Sequence, residues 1–353
     1  MLLYGMYDIT LQDRAPKIRI GLMTEALSRQ THTERVTGGR VARFLRAVRW
    51  LASGGPRRVG AVYVESATTS SMPTDLLFLA TMRLLRRPVG VFFRDVYQLY
   101  RDVHPRVHRR QVLSDWLWRM TTPLLKRVAS VRYAPTPAMA AVLGISDAVM
   151  LPPGTDPTLP DLGIGDPDVV ATVAQAKPGS GLDTLVAGMK LVRERRPNAR
   201  LQVVARSVDR ETESSLPDWV QVTPGNRQAL PGLLRPGRVL VLPLPIDAYT
   251  RLEAAVRLPD LMGYGKPMVT TDTPVQRALI EASQAGMVTP DSADGLAQGI
   301  LAILEDESLA RRLGANARRY ACSAGATWDA RARTVVDTLG LEAAQAEAGP
   351  ARG

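Results

Sequence analysis

Short apolar runs alternate with helix-length amphipathic runs along this 353-residue chain, and the alternation passes through twice. Strands separated by a helix-length crossover pair side by side in one direction, so the pattern restricts the chain to α/β architectures built on parallel sheets. In the first pass, 17–23 (KIRIGLM) reads as a buried strand, followed by a Ser/Thr-rich loop, Gly38-Gly39 and a helix over 41–52. Strand signals at 61–65 and 88–93 flank a helix over 75–87. A helical run at 116–127 leads to short strands at 130–133 and 148–151, with a helix at 137–143 between them. The second pass sets strands at 169–173, 201–205, 220–222, 239–242 and 267–270 among helices at 181–195, before Gly265, at 293–305 and at 308–320.

Two successive series imply two Rossmann-like domains facing a central cleft. The expected boundaries are a first domain over 1–152, a linker over 153–168 where Pro, Gly and Asp cluster, and a second domain over 169–330. A closing helix and a frayed, small-residue tail are expected over 331–353. In open α/β sheets ligands sit beyond the carboxyl ends of the strands, so functional residues are sought in the loops that follow them.

Charge separates the halves. Residues 1–150 hold 23 Lys and Arg against 10 Asp and Glu, whereas the remainder holds 22 against 24. Arg40, Arg43, Arg46 and Arg49 recur every third residue and line one slowly drifting helix face that attracts anions. The segments 75–87 (DLLFLATMRLLRR) and 116–127 (WLWRMTTPLLKR) mix Leu, Trp, Phe and Met with Arg and Lys as interfacial helices do. An anionic membrane surface is therefore an expected partner. Specific nucleic-acid binding is not expected, because zinc-finger spacing is missing and aromatic residues make up 5% of the chain.

Cys322 is the single cysteine, which excludes an internal disulfide or a thiolate cluster and points to a reducing, cytoplasmic setting. Apolar stretches fall far short of the ~20 residues that span a bilayer, and MLLYGMYDIT does not read as a secretory signal. Localisation is thus expected to be cytoplasmic, with peripheral attachment at the inner membrane face. His32, His104 and His108 have no metal-ligand spacing with acids or the cysteine and read as surface histidines.

The second half resembles the donor domain of the GT-B retaining nucleotide-sugar glycosyltransferases (glycosyltransferase group 1). The resemblance is carried in order by GLDTLVAGMKLVRERRPNARLQVVA (181–205), LPGLLRPGRVLVLPLP (230–245), RLPDLMGYGKPMVTTD (257–272) and the closing segment from Asp294 through Trp328. It spans about 150–340. It implies transfer of a sugar from a nucleotide-sugar donor to an acceptor, with retention, without a metal, and with no cofactor, the nucleotide sugar being a substrate.

In such a reaction negative charge builds on the departing diphosphate, and cations and helix N-termini must meet it. The positions that carry the family's Arg and Lys are Gln175 and Ser180 here. Lys177, Arg206 and Arg257 are the cations that the resemblance leaves for that task. Of the family's paired acids, the one that holds the ribose maps to Asp260, and the one near the sugar maps to Leu252, with Glu253 adjacent. Gly225 follows a strand and is assigned to the donor. In the first half, Arg94 and Asp95 stand where the family has His-Asp and are assigned to catalysis with Glu253, while Gly38 and Gly39 are assigned to an acceptor or phosphate loop.

Three other readings stay open at this level. The missing Arg/Lys pair and first acid fit an inactive scaffold or regulatory relative. A sugar-nucleotide epimerase shares the two-domain fold, and the arginine face fits nonspecific nucleic-acid attraction.

Overall fold

A computed structural model of the chain describes residues 1–8, 15–103, 108–175, 179–206 and 215–341. The chain divides into two units, Met1–Pro153 with Trp328–Gly353, and Gly154–Thr327. The second boundary falls at Trp328, so the last helix folds back onto the first unit. The tail at 342–353, expected to fray, lies outside the described residues.

In the first unit, β1 (Leu2–Gly5), β2 (Glu34–Thr37), β3 (Val62–Glu65), β4 (Val89–Phe92), β5 (Val131–Ala134) and β6 (Val149–Met150) form one parallel sheet in the order β2-β1-β3-β4-β5-β6. The run LLYG is buried along its length and makes β1 an inner strand, paired with β2 and β3. Strands covered on both faces read as unbroken apolar runs, as β1 and β4 do, and β3 does until its closing Glu65. The helices are α1 (Ala15–Gln30), α2 (Arg40–Ala52), α3 (Gly55–Arg58), α4 (Pro73–Leu84), α5 (Arg110–Val128) and α6 (Pro137–Val142).

The strand expected at 17–23 is instead the first half of α1. Its apparent alternation fails because Arg19, one of the polar positions, is 2% exposed and turned inward onto Glu65. A buried arginine counts as an interior position, and Arg19 through Thr24 then form an unbroken buried run, as a helix enclosed by its neighbours would show. The closing helix of the chain, α13 (Trp328–Thr338), packs on α1, where Arg29 Nε and Nη2 donate to Asp329.

The second unit repeats the plan. Strands β7 (Asp166–Val173), β8 (Arg200–Ala205), β9 (Val220–Pro224), β10 (Gly237–Leu242), β11 (Met268–Thr271) and β12 (Gly286–Thr289) are all parallel in the order β12-β11-β10-β7-β8-β9. The helices are α7 (Leu182–Arg195), α8 (Leu230–Leu234), α9 (Arg257–Met262), α10 (Pro274–Ser283), α11 (Ala293–Glu305) and α12 (Glu307–Ala321). One apolar cluster joins α7 and α11 to one face of the sheet through Leu185, Met189, Leu296 and Ile300. A second lies on the other face around Leu240, Leu258, Met262 and Tyr264. The order places β7 and β10 in the middle, and with them the loops leading into α7 and α9.

Candidate functional site

The carboxyl end of β7 gathers the polar groups of the second unit. Gly181 caps α7 with φ +84°, and a Cβ there would stand 1.7 Å from the carbonyl oxygen of Pro243, beyond β10. Only glycine lets these two loops touch, and that contact holds the α7 N-terminus at the sheet edge. Ser180 Oγ donates to the carbonyl of Gln175 at 2.7 Å and closes the same turn.

Arg257 begins α9 and reaches across to this edge, where its Nη1 donates to the carbonyl of Val173, the last residue of β7. Glu253 lies four residues earlier. Burial pushes the Glu253 carboxyl above its ordinary range, opposed by Arg257 and reinforced by Asp247. Burial likewise pulls the Arg257 guanidinium down, with Glu253 opposing. Both residues are partly buried and each feels the other's charge.

Asp260 projects from the next turn of α9 into a different contact. Arg227 donates from Nε at 3.2 Å and Nη2 at 2.8 Å to its two carboxylate oxygens, and Nη2 also reaches Asp156 at 2.9 Å. Burial raises the Asp156 carboxyl, but hydrogen bonds from Thr158 and Arg227 outweigh it and hold the group below its usual range. A carboxylate fixed on both oxygens in this way is oriented and retains acceptor capacity on each, as a pair of vicinal hydroxyls requires.

Arg206 follows β8 directly and is exposed. Gly225 follows β9, its N–H donating to the carbonyl of Ala205 at 2.8 Å. Lys177 lies outside the described residues. The structure thus sets Arg257 at the end of β7, joins Asp260 to Asp156 through Arg227, and places Arg206 and Gly225 at the ends of β8 and β9.

In the first unit, Glu65 ends β3 fully buried and is the hub of a cationic cluster. Arg94, two residues past β4, donates from Nη2 to Glu65 Oε2 at 2.6 Å. Arg19 Nε donates to Oε1 at 3.3 Å, and the Tyr63 hydroxyl donates to Oε1 at 2.8 Å. The Arg19 guanidinium lies 3.7 Å from the Phe92 ring centroid. Arg94 is thereby held by the protein's own acid rather than turned out to solvent. Asp95 Oδ1 accepts the N–H of Val96 at 3.0 Å. Gly38, at φ +136°, sends its N–H to the carbonyl of Tyr7 and accepts Arg43 Nη1, while Gly39 caps α2 with open space beside it.

Residues 167–306 match the family model described as Glycosyl transferases group 1. That match lies within the second unit. Curated proteins provide no match to the chain. Among solved structures, HepE of Anabaena, in a complex with UDP-glucose, superposes with a TM-score of 0.61 at 16% identity over 96% of this chain and 99% of HepE. WaaG, described as a glycosyltransferase involved in lipopolysaccharide biosynthesis, gives 0.63 at 14% identity over 95% and 99%. A putative UDP-N-acetylglucosamine 2-epimerase from Listeria monocytogenes gives 0.54 at 10% identity over 96% and 95%. The chain shares the fold of these structures, two parallel six-stranded sheets, and the group 1 match falls on the second.

Two residues of these clusters escape the sequence reading. Arg227 follows the Pro224-Gly225 turn and carries no helical or strand periodicity, so only the position of that turn after a strand could have flagged it. Glu65 was read as the end of a strand, yet an acid closing an apolar strand (AVYVE) at its carboxyl end is a detectable signal.

Proposed function

We propose that the chain is a glycosyltransferase that takes a nucleotide-activated sugar at the carboxyl edge of its second sheet and transfers the sugar, with retention, to an acceptor handled by the basic first unit. The observation that carries the reading is Arg257, tied to the carbonyl at the end of β7 within the segment that matches the group 1 model. Arg257 and the helix end meet the charge that accumulates on the departing diphosphate. Asp260, held by Arg227, accepts the ribose hydroxyls. The carboxyl of Glu253, shifted toward its protonated form, faces the transferred sugar.

With cations and a helix end in these places, transfer proceeds without a metal, and the domain takes no cofactor. The complex of HepE with UDP-glucose supports a nucleotide-sugar donor. In the first unit, Arg94, oriented by Glu65, and Asp95 serve the acceptor. Lys177, Arg206 and Gly225 complete the donor side, and the Gly38-Gly39 loop completes the acceptor side. Peripheral attachment to an anionic membrane from the cytoplasmic side belongs to the same proposal.

The test is an incubation of the full chain with UDP-, GDP- and dTDP-sugars and a panel of acceptors, followed by nuclear magnetic resonance of the product. A new glycoside with the donor's anomeric configuration, formed equally with and without a chelator, is expected. Inversion overturns the retention claim, loss of turnover with chelator overturns the metal claim, and an isomerised nucleotide sugar formed without acceptor favours an epimerase.

A further inference from the structure

Every large apolar side chain left exposed among the described residues belongs to the first unit, although both units are built to one plan of layers. Twelve of the fifteen sit on three neighbouring elements, α2, α4 with its C-cap, and α5. Helix α4 packs between the other two, so their outer surfaces form one continuous face.

The pattern on α2 is the most telling. Its inner stripe is Arg43, Ala47 and Trp50, all buried. Its outer stripe is Val41, Phe44, Leu45 and Val48, between 41% and 73% exposed and spaced i, i+3, i+4, i+7. A helix that has already buried one face has no folding reason to present a second apolar stripe to water. On α5, Val112, Leu113, Trp116 and Met120 repeat the feature, each more than half exposed. Around these ridges stand exposed Arg40, Arg46, Arg49, Arg83, Arg119 and Arg127. The acids of the three helices are Asp75 and Asp115, and both are buried in ion pairs, with Arg43 and Arg101. The outer face is therefore apolar and cationic together, with no carboxylate of these helices available to balance it.

We propose that the α2–α4–α5 face is the surface by which the enzyme docks on an anionic lipid bilayer, with the α2 ridge of Val41, Phe44, Leu45 and Val48 inserting beside its arginines. This deepens the peripheral-membrane reading above and rests on it. Arginines interleaved at helical spacing with apolar side chains would be left dehydrated in a closed protein interface. At a bilayer surface their apolar stems lie along the acyl boundary while the guanidinium groups reach anionic headgroups.

The test is co-sedimentation of the full chain with phosphatidylglycerol-containing and with pure phosphatidylcholine vesicles, comparing the natural chain, Phe44→Ser with Leu45→Ser, and Arg40→Glu with Arg49→Glu. These side chains point outward, and circular dichroism of each variant checks that the fold is kept. Binding to anionic vesicles that falls on the order of tenfold or more in either double variant is expected. It should weaken with added salt and be near absent for phosphatidylcholine. Binding unchanged in both variants overturns the α2 assignment while leaving membrane attachment in place. No sedimentation with any vesicle overturns attachment itself, and donor binding measured without vesicles separates that failure from failure of the glycosyl-transfer reading. Concentration-dependent self-association abolished by Phe44→Ser with Leu45→Ser, without vesicle binding, would make the face a contact between copies and overturn the proposal.

Discussion

Arg43 grips Asp75 with two prongs, Nε to Oδ1 and Nη2 to Oδ2, both at 2.8 Å, in a pocket that leaves each side chain no more than 3% exposed. Asp75 also accepts the Tyr4 hydroxyl at 2.6 Å and the N–H of Met72 at 2.8 Å, so one carboxylate ties α2, α4 and β1 together. Desolvation alone would lower the Arg43 pKa, but Asp75 outweighs it and raises it. Arg43 is thus a structural member of what reads in the sequence as a uniform arginine row.

Truncating either partner leaves the other buried and unpaired. Arg43→Ala or Asp75→Ala is expected to cost about 3–5 kcal/mol in urea unfolding. Arg40→Ala and Arg49→Ala, on the exposed side, are expected to stay within about 0.5 kcal/mol. Equal losses at Arg43 and Arg49 would show that the pair does not anchor the helix.

Glu34 gives a pH dependence of definite sign. Hydrogen bonds from Arg58 chiefly, opposed by burial and aided by the Trp50 indole N–H, lower its pKa from 4.5 to about 2. The depressed value means that the stabilisation is complete above 4.5 and is lost as pH falls toward 2. Because Arg58 is exposed, solvent screening keeps this contribution small. In acid titrations followed by thermal melting, Glu34→Gln should flatten this stretch of the stability curve. An unaltered slope would remove Glu34 from the account.

Much of the architecture was legible, and the failures have physical causes. Every strand of the second unit except β12 was read, because β7, β8, β10 and β11 are apolar runs bounded by turn residues. The segment 286–289 (GMVT) is too short and too partly exposed to stand out. In the first unit, β1 and β2 are four-residue segments that carry no period, and α1 reads as a strand because its buried Arg19 imitates a polar face. The site was legible as chemistry but not as pairing. Asp260 is named by its place before Gly265, yet its partner Arg227 lies 33 residues earlier and reaches on to Asp156, so only the fold joins the three.

Gly181 and Gly179 both take positive φ, but their surroundings differ. A methyl group at Gly181 would meet the Pro243 carbonyl, whereas nothing lies within 4 Å of one at Gly179. Gly179→Ala is expected to cost about 1–2 kcal/mol, the strain of the left-handed conformation alone. Gly181→Ala must also push the β7 and β10 loops apart and is expected to lose donor binding as well as stability. Calorimetry and melting of both variants compare them, and equal behaviour would deny the loop contact its role.

The central claim is that a nucleotide-sugar donor binds at the carboxyl edge of the second sheet through Arg257 and Asp260. Titration calorimetry of the full chain with UDP-glucose and with GDP- and dTDP-sugars tests it most directly. Saturable binding of at least one donor is predicted, weakened on the order of tenfold or more, about 1.4 kcal/mol, in Arg257→Met and in Asp260→Ala while both variants remain folded. Absence of binding by every donor, or affinity untouched by both substitutions, would contradict it.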